Sequence, residues 1–258
     1  ASQIPVAPKS AKLAAEVPAS LRSKTLTVAM DATYAPDEFI QNGKVIGMDA
    51  DLADAIAQVL GLKVKLVNAT FDTIIPGMLS GRFDIGMSSF TDTKAREKQV
   101  TFVDYFSAGE AFYVLHNSKI VVNGLPGLCG HTVAVESGTT EQSDAQSQAK
   151  KCKVTVDPFS TQSAANIAVS SGRAQIGFAD SQVAAYIVAQ SKGVFKLSGK
   201  AIEVAPYGIA LPKNLGLVTP VLGAVNALIK DGIYLKILNK WGIAPGAITK
   251  AVVNGATS

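Results

Sequence analysis

Strand-like and helix-like segments alternate through most of this chain, and this alternation limits the possible folds more than any other feature. The first four segments, in the order strand, helix, strand, helix, are Thr25–Met30, Asp51–Leu60, Lys63–Val67 and Phe71–Ser80. Gly61 and Gly81 follow the two helical segments, as glycine commonly does at helix C-termini. Alternating strands and helices of this length predict βαβ units around a mostly parallel sheet.

The same alternation restarts at residue 131. Its strands are His131–Glu136, Lys153–Val156 and Arg173–Ala179, and its helices are Thr139–Lys150 and Ser163–Ser171. Ser80-Gly81-Arg82 followed by Ile85-Gly86 recurs as Ser171-Gly172-Arg173 followed by Ile176-Gly177, at identical spacing. Two similar α/β lobes are the simplest interpretation.

A closing strand, Tyr207–Leu211, and an amphipathic helix, Leu222–Leu238, with a break at Gly232, suggest that the chain returns to its first lobe. Such a return requires two crossings, which we place near Ser107–Ala111 and Glu203–Pro206 as a hinge. The predicted organisation is an N-terminal tether at 1–23, the first lobe at 24–109 and 204–258, and the second lobe at 110–203. A proline, Pro18, interrupts the helical pattern within the tether.

Composition excludes several classes of protein. The 258 residues carry a net charge of +4 with acidic and basic residues interspersed, which does not indicate a nucleic-acid partner. No apolar run approaches eighteen residues, so no membrane span is predicted. The N-terminal segment lacks an apolar core of signal-peptide length, and we expect any export signal to have been removed.

Two cysteines, Cys129 and Cys152, allow two interpretations. One pair and no others favours the disulfide of an exported protein, which would stabilise the fold by roughly 3 kcal/mol. The alternative is two buried thiols in a cytosolic protein. The sequence has no Cys-x-x-Cys, and His116 and His131 are far apart, so no zinc site is predicted.

The stretch Met87–Arg96 combines hydroxyls, backbone N–H groups and one arginine directly after a short strand pattern. N–H groups and a guanidinium suit a carboxylate, and hydroxyl and carbonyl oxygens suit an ammonium. These ten residues therefore fit a free α-amino acid. The alternative is a Ser/Thr-rich loop with Arg96 in a surface ion pair.

The predicted carboxyl ends of the strands carry acids, hydroxyls and aromatic residues, and ligands of open α/β sheets bind at such ends. These ends are Asp31–Tyr34, Thr70-Phe71, Ser88–Thr91, Glu136–Thr140, Ser160-Thr161 and Ala179-Asp180. Helix N-termini at Thr139-Thr140 and Phe71-Asp72 add N–H donors for an anion. These strand ends contain no obvious nucleophile–base pair. The cleft that they would form suits a ligand that carries both a positive and a negative charge.

From about Thr25 to its C-terminus, the chain resembles the polar amino-acid family of solute-binding proteins of ABC importers, bacterial solute-binding protein family 3. The motifs that match are Asp31–Pro36, Gly47–Leu52, Phe71-Asp72-x-x-Ile75-Pro76-x-Met78, Ser88–Arg96, Phe102-x-Asp104-Tyr105 and Ser137–Thr140. Met48 and Ala50 depart mildly from the family pattern, and Asp37 stands where the family usually has an aromatic residue.

The resemblance implies a type II periplasmic-binding-protein-like fold: two similar βα lobes, a two-strand hinge and a ligand in the cleft between the lobes. It also implies capture of a free amino acid outside the cytoplasm by hinge closure, and delivery to a membrane permease. A monomer without cofactor, metal or enzymatic activity is expected. A lipid anchor at the removed N-terminus is compatible with this location.

The resemblance further implies a role for each site residue. Arg96 would bind the ligand α-carboxylate together with backbone N–H groups of Thr91 and Thr140. The Ser89 carbonyl, the Thr91 hydroxyl and Asp180 would bind the α-ammonium. The ligand side chain would lie between Tyr34 and Phe71, with Asp31 at its far end. The full predicted set is Asp31, Tyr34, Phe71, Ser88, Ser89, Phe90, Thr91, Arg96, Glu136, Thr139, Thr140 and Asp180.

Each role has a structural alternative. Tyr34 and Phe71 could be core aromatics, Asp31 could cap a turn, and Asp180 could be the N-cap of the helix that follows it. Glu136 could face solvent or pair with a nearby lysine.

Ligand choice depends on Asp31 and Glu136, the acids that end the first strand of each lobe. Two carboxylates facing each other in a dry cleft repel unless a cation lies between them, which favours arginine, lysine or ornithine. Glutamine or another polar amino acid is the alternative if Glu136 lies elsewhere. A sensor domain and a cyclohexadienyl-type dehydratase on the same fold are the alternative classes of protein.

Overall fold

A computed structural model describes residues 3–258, in which strands and helices alternate as the sequence predicts. The strands are β1 Thr25–Met30, β2 Thr33–Tyr34, β3 Glu38–Gln41, β4 Lys44–Ile46, β5 Lys63–Asn68, β6 Ile85–Gly86, β7 Thr101–Leu115, β8 Thr132–Glu136, β9 Thr155–Phe159, β10 Ile176–Asp180, β11 Phe195–Leu211 and β12 Val252–Val253. The helices are α1 Ala11–Glu16, α2 Ala19–Arg22, α3 Met48–Leu60, α4 Phe71–Leu79, α5 Lys94–Glu97, α6 Thr140–Ala149, α7 Gln162–Ser170, α8 Ser181–Gln190, α9 Val218–Asp231 and α10 Ile233–Lys240.

A nine-stranded sheet runs through both lobes in the order β5-β1-β6-β11-β7-β10-β8-β9, with β12 on β7. In the first lobe β1 pairs in parallel with β5 and β6, and in the second lobe β8 pairs in parallel with β9 and β10. The two long central strands, β7 and β11, are antiparallel to each other. The sheet is therefore parallel within each lobe and antiparallel where the chain crosses between lobes.

The two crossing strands lose their regular pairing in the middle. The register between β7 and β11 shifts between Ser198 and Ile202, again between Ile202 and Ala205, and once more at Tyr207/Gly208. Glu203 adopts a positive φ of 51° within this stretch. This interruption overlaps the predicted hinge segment, and bending there would break few ladder hydrogen bonds. The motion itself and the exact lobe boundaries stay predictions.

The helical segment predicted over Leu222–Leu238, with a break at Gly232, is two helices, α9 and α10, that meet at that glycine. Gly232 lies between them with φ of 83°, a left-handed conformation that glycine adopts at little cost and that ends the first helix. The strand predicted at Tyr207–Leu211 is only the last part of β11, which begins at Phe195.

The N-terminal segment packs on the first lobe over the residues that the structure describes. Ala7, Val17 and Leu21 are buried in the core of that lobe. The Ala7 backbone N–H donates to Gln58 Oε1 of α3 at 2.7 Å, and the Ser10 N–H donates to the Val59 carbonyl at 2.9 Å. Its role as a tether stays a prediction.

The predicted disulfide between Cys129 and Cys152 is confirmed. It joins the 3-10 turn Leu125–Leu128 to the residues that follow α6, within the second lobe. The Gln148 amide lies 3.5 and 3.4 Å from the two sulfur atoms. No helix within residues 3–258 is both long and apolar enough to cross a bilayer.

Candidate ligand-binding site

A cavity with about 280 Å³ of empty space, including the part open to solvent, lies between the lobes, at the carboxyl ends of β1, β6, β8 and β10. Its lining residues are Asp31, Tyr34, Glu38, Phe71, Ser88, Ser89, Thr91, Arg96, Glu136, Thr139, Thr140, Glu141 and Asp180. The structure thus gathers the whole predicted set around one cavity except Phe90. Glu38 and Glu141 line the cavity and were not predicted.

Arg96 lies across the boundary between the lobes. Its Nη1 donates to the Thr91 carbonyl and its Nη2 to the Gly138 carbonyl, both at 2.8 Å. The guanidinium carbon is 5.4 Å from the centre of the Phe71 ring and 5.5 Å from that of Phe90. Phe90 therefore packs against Arg96 and Phe71 and does not line the cavity. These two bonds use two of the five guanidinium donors, and a surface ion pair is not what holds Arg96.

The position of Arg96 depends on local structure in both lobes. The Thr93 hydroxyl accepts the Arg96 N–H at 3.2 Å and so begins the short helix α5. Burial lowers the pKa of Arg96, while the carboxyl groups of Glu141, Asp180 and Asp92 act in the opposite direction. The guanidinium therefore belongs to a half-buried side chain with acids nearby.

Asp31 and Glu136 face each other across the cleft, each only 2% exposed. Asp31 Oδ1 accepts from the Thr33 N–H at 3.2 Å and from the Thr33 hydroxyl at 2.8 Å, so Asp31 does cap a turn. The same hydroxyl lies 3.5 Å from Glu136 Oε2. Asp31 Oδ2 is buried and has no hydrogen-bond partner within residues 3–258.

Glu136 therefore neither faces solvent nor pairs with a lysine. Burial raises its pKa well above the ordinary value, and the neighbouring Asp31 raises it further. Asp31 and Glu136 thus lie close together with no basic side chain between them. The sequence predicts this arrangement for the part of the site that binds a cation.

Asp180 and Tyr34 connect the two lobes beside the cavity. The Asp180 N–H donates to Tyr34 Oη at 2.9 Å, and the Tyr207 hydroxyl donates to Asp180 Oδ2. Asp180 occupies the N-cap position of α8, but its side chain makes no capping hydrogen bond. Burial, followed by the charge of Glu141, raises the Asp180 pKa well above its ordinary value. Helix capping is thus not the role of this carboxyl group.

Further hydrogen bonds hold the lobes together. Gln182 Nε2 of the second lobe donates to Asp37 Oδ2 of the first at 2.7 Å. The Gln162 N–H donates to the Thr33 hydroxyl at 3.2 Å. With the Arg96–Gly138 bond, these contacts define a closed arrangement of the two lobes.

Glu38 and Glu141 are the site acids that sequence reasoning missed. Glu38 Oε1 accepts from the Ser88 hydroxyl at 2.7 Å, and that hydroxyl accepts the Asp31 N–H at 2.8 Å. Burial raises the pKa of Glu38 well above its ordinary value, and the Asp49 carboxylate adds to the effect. Burial raises the Glu141 pKa to about 7, with Glu110 as the next cause.

The sequence contains a signal for only one of the two missed acids. Asp37-Glu38 is a pair of adjacent acids between Pro36 and Phe39, an apolar setting that could have indicated burial. Glu141 stands in the first turn of α6, where an acid is common because of the helix dipole, so its sequence position gave no signal.

The cavity is rich in acidic side chains. Five carboxyl side chains line it, those of Asp31, Glu38, Glu136, Glu141 and Asp180, against the single guanidinium of Arg96. The ion pairs found within residues 3–258 are elsewhere, at Arg173–Asp157 and Lys240–Asp51. The same range contains no group of three or more acidic, histidine or cysteine side chains suited to a metal ion. An organic cation is the ligand that this distribution of charge favours.

Comparisons with known proteins agree on the family. A profile of the bacterial extracellular solute-binding proteins, family 3, matches residues 26–244. The arginine-binding protein ArgT of Corynebacterium glutamicum is 32% identical over 252 residues, which cover 94% of this chain and 83% of the relative.

Solved structures confirm the fold. An ancestral arginine-binding protein bound to arginine is 38% identical, with a TM-score of 0.80 over 84% of this chain and 97% of the other. An ancestral arginine-binding protein bound to glutamine is 37% identical, with the same TM-score over 85% and 98%. The ancestral amino acid-binding protein AncCDT-1, a precursor of cyclohexadienyl dehydratase, is 35% identical, with a TM-score of 0.77 over 84% and 95%. The chain therefore has the type II periplasmic-binding-protein fold, and it belongs to the bacterial extracellular solute-binding proteins of family 3.

Proposed function

We propose that this protein captures a free cationic amino acid, arginine foremost, outside the cytoplasm and delivers it as a monomer to the permease of an ABC transporter. One observation carries the choice of ligand: Asp31 and Glu136 face each other, both buried, in the same cavity that Arg96 lines. The names of the similar arginine-binding proteins support the same ligand.

The proposed pose uses the two ends of the cavity differently. The α-carboxylate lies on the free donors of Arg96 and on the backbone N–H groups of Thr91 and Thr140, since a guanidinium fork matches a carboxylate in two parallel bonds. The α-ammonium lies near Asp180, the Ser89 carbonyl and the Thr91 hydroxyl.

The ligand side chain then extends between Tyr34 and Phe71 toward the acid pair. Its guanidinium lies between Asp31 and Glu136, where Asp31 Oδ2 gains the hydrogen bond that no protein group supplies within the described residues. A cation there also removes the repulsion between the two carboxylates.

Closure of the lobes is the proposed mechanism of capture. The ligand binds groups of both lobes at once, Arg96 and Asp31 from the first, Thr140, Glu136 and Asp180 from the second. It therefore favours the closed arrangement by the contacts that exist only when the lobes meet. The bend occurs where β7 and β11 lose their register, and it divides the chain near residues 109–110 and 203–204.

Two alternatives have specific support. Glutamine is favoured by the structure of an ancestral arginine-binding protein bound to glutamine. A dehydratase activity is suggested by the similarity to a precursor of cyclohexadienyl dehydratase, and cleft acids with raised pKa values are what a general acid requires. We propose binding without turnover, because the most perturbed acids have roles in holding the ammonium and the side chain.

Thermal unfolding of ligand-stripped protein with each of the twenty amino acids and ornithine tests this function. A ligand at 1,000 times its dissociation constant adds roughly 4 kcal/mol to the free energy of unfolding. Arginine, lysine or ornithine should raise the midpoint, and glutamate should not. A larger effect of glutamine would contradict the role of the acid pair. If no amino acid raises the midpoint, the binding proposal fails, and assays with prephenate and arogenate would then test the dehydratase.

A further inference from the structure

A second cavity adjoins the amino-acid site within the cleft between the lobes. It has about 1,070 Å³ of empty space, including the part open to solvent, and it reaches the hinge segments of β7 and β11. Thr91, Arg96, Thr139, Thr140 and Asp180 line both cavities. The two spaces are therefore neighbours.

Glu110 is the most unusual residue of this second cavity. It lies on β7 directly opposite Asp180 of β10 in the antiparallel register and is only 4% exposed. Its Oε2 is buried and receives no hydrogen bond within residues 3–258. Like charges directly opposite each other on neighbouring strands destabilise a sheet, and a buried carboxyl oxygen without a donor adds a desolvation penalty.

The groups around Glu110 are mostly acidic as well. Asp144 and Glu141 face it from α6, Asp180 from β10, and the exposed Glu203 from β11. The cation among the lining residues is Arg96, whose guanidinium is engaged with two carbonyl groups. Burial raises the Glu110 pKa to about 9 and Asp144 contributes to the rise, while a hydrogen bond from Thr140 acts in the opposite direction. The cavity thus contains a buried acid whose ionised form lacks a counter-charge.

We propose that this second cavity binds an ammonium or guanidinium group through the carboxyl groups of Glu110 and Asp144. Charge-assisted hydrogen bonds from such a group satisfy Glu110 Oε2 and offset the repulsion from Asp180. The group has two possible sources. It belongs either to a separate small organic cation, or to a cationic residue that extends the bound amino acid beyond its carboxylate, as in a dipeptide. The second source depends on the proposed function, and the first does not.

Isothermal titration calorimetry distinguishes the two sources. Agmatine is titrated into protein whose first site is saturated with arginine, and the dipeptide arginyl-lysine is titrated into ligand-stripped protein. Binding of agmatine in the presence of arginine indicates a separate cation. Binding of the dipeptide alone indicates an extended ligand. If neither binds, the proposal is wrong.

Two variants test the residues. Glu110→Gln removes the charge but keeps the shape and a donor, so a merely structural, protonated Glu110 would tolerate it. We expect this variant to weaken the second binding event by about tenfold to a hundredfold and to leave the affinity for free arginine unchanged. Asp144→Asn should act in the same direction, and it keeps the test available if Glu110→Gln does not fold. Glu16→Gln, an exposed acid on α1, is the control.

Unchanged binding of agmatine or dipeptide by both variants would overturn the assignment. Failure of the parent protein to bind arginine would contradict the proposed function. The second cavity would still be tested in that case, by titrating agmatine into the ligand-free protein and into the Glu110→Gln and Asp144→Asn variants.

Discussion

Replacing Glu136 with glutamine should change ligand affinity and the stability of the ligand-free protein in opposite directions. In the ligand-free protein, Glu136 and Asp31 are buried acids without a cation, and Asp31 Oδ2 has no partner within the described residues. The introduced amide can donate to that oxygen at every pH, whereas Glu136 can do so only while it is protonated, so the gain applies at a pH where both carboxyl groups are ionised. A gain of one hydrogen bond is about 1 kcal/mol, which corresponds to an increase of about 2–4 °C in the unfolding midpoint of a domain this size.

Arginine affinity should fall in the same variant. One of the two carboxylates that bind the ligand guanidinium is lost, and a hydrogen bond to a charged group contributes about 1.5–3 kcal/mol. The dissociation constant for arginine should therefore rise by about tenfold to a hundredfold. Lysine and ornithine should weaken too, whereas glutamine should be affected less.

Differential scanning calorimetry and isothermal titration of the ligand-stripped variant measure the two effects. Glu16→Gln makes the same chemical change at an exposed position on α1 and should change neither quantity. Unchanged arginine affinity in Glu136→Gln would refute the reasoning, because it would place the ligand side chain away from Glu136. A lower midpoint without ligand would refute the claim that the acid pair is destabilising when empty.

Four other changes test separate parts of the site. Arg96→Lys should weaken arginine binding by about a hundredfold or more. A lysine lacks the planar fork that bonds the Thr91 carbonyl, the Gly138 carbonyl and a ligand carboxylate at once. Unchanged affinity in a titration would contradict the pose. Tyr34→Phe removes the acceptor of the Asp180 N–H and should weaken arginine binding by about tenfold. The control Tyr186→Phe on α8 should not weaken it. Equal arginine affinities of the two variants would show that the Tyr34–Asp180 bond does not contribute to closure. Acidification from pH 8 to pH 5 should weaken arginine binding, because Glu141, with a pKa of about 7, takes up a proton in the ligand-free site and ceases to attract a cation. The raised pKa of Glu136 acts in the same direction. Binding should then release protons, which titrations in buffers of different ionisation enthalpy detect, and a pH-independent affinity would exclude this linkage. Joint replacement of Cys129 and Cys152 by serine removes a cross-link between residues 23 apart. The free energy of unfolding should fall by about 3 kcal/mol, which corresponds to a decrease of about 6–12 °C in the unfolding midpoint. Arginine affinity should stay the same, and a loss of affinity would connect the disulfide to the site.

Local sequence patterns were sufficient for the lobes and for most of the cavity. The helix and strand periods, with glycines at the helix ends, predict βαβ units, and the carboxyl ends of those strands bring Asp31, Ser88, Glu136 and Asp180 together. The rule that ligands bind at strand ends works because parallel strands in one sheet all end at the same edge.

Features that depend on enclosure by distant segments were not predictable in the same way. Glu141 lies in the first turn of α6, yet it is only 2% exposed in the folded protein. The length of β11 was missed because Gly199 and Lys200 interrupt its apolar pattern, although pairing with β7 carries the strand across both lobes. Phe90 was assigned to the cavity on its position beside Ser89, and its ring instead packs against Phe71.

Comparison of L-arginine with L-citrulline on the ligand-stripped protein tests the central claim most directly. Citrulline has the same length and shape, but a neutral urea replaces the guanidinium. Because Asp31 and Glu136 would each lose a charge-assisted hydrogen bond, arginine should bind at least about a hundredfold more tightly by isothermal titration. Equal affinities for the two would show that the acid pair does not select a cation, and the proposed arginine-binding function would be wrong.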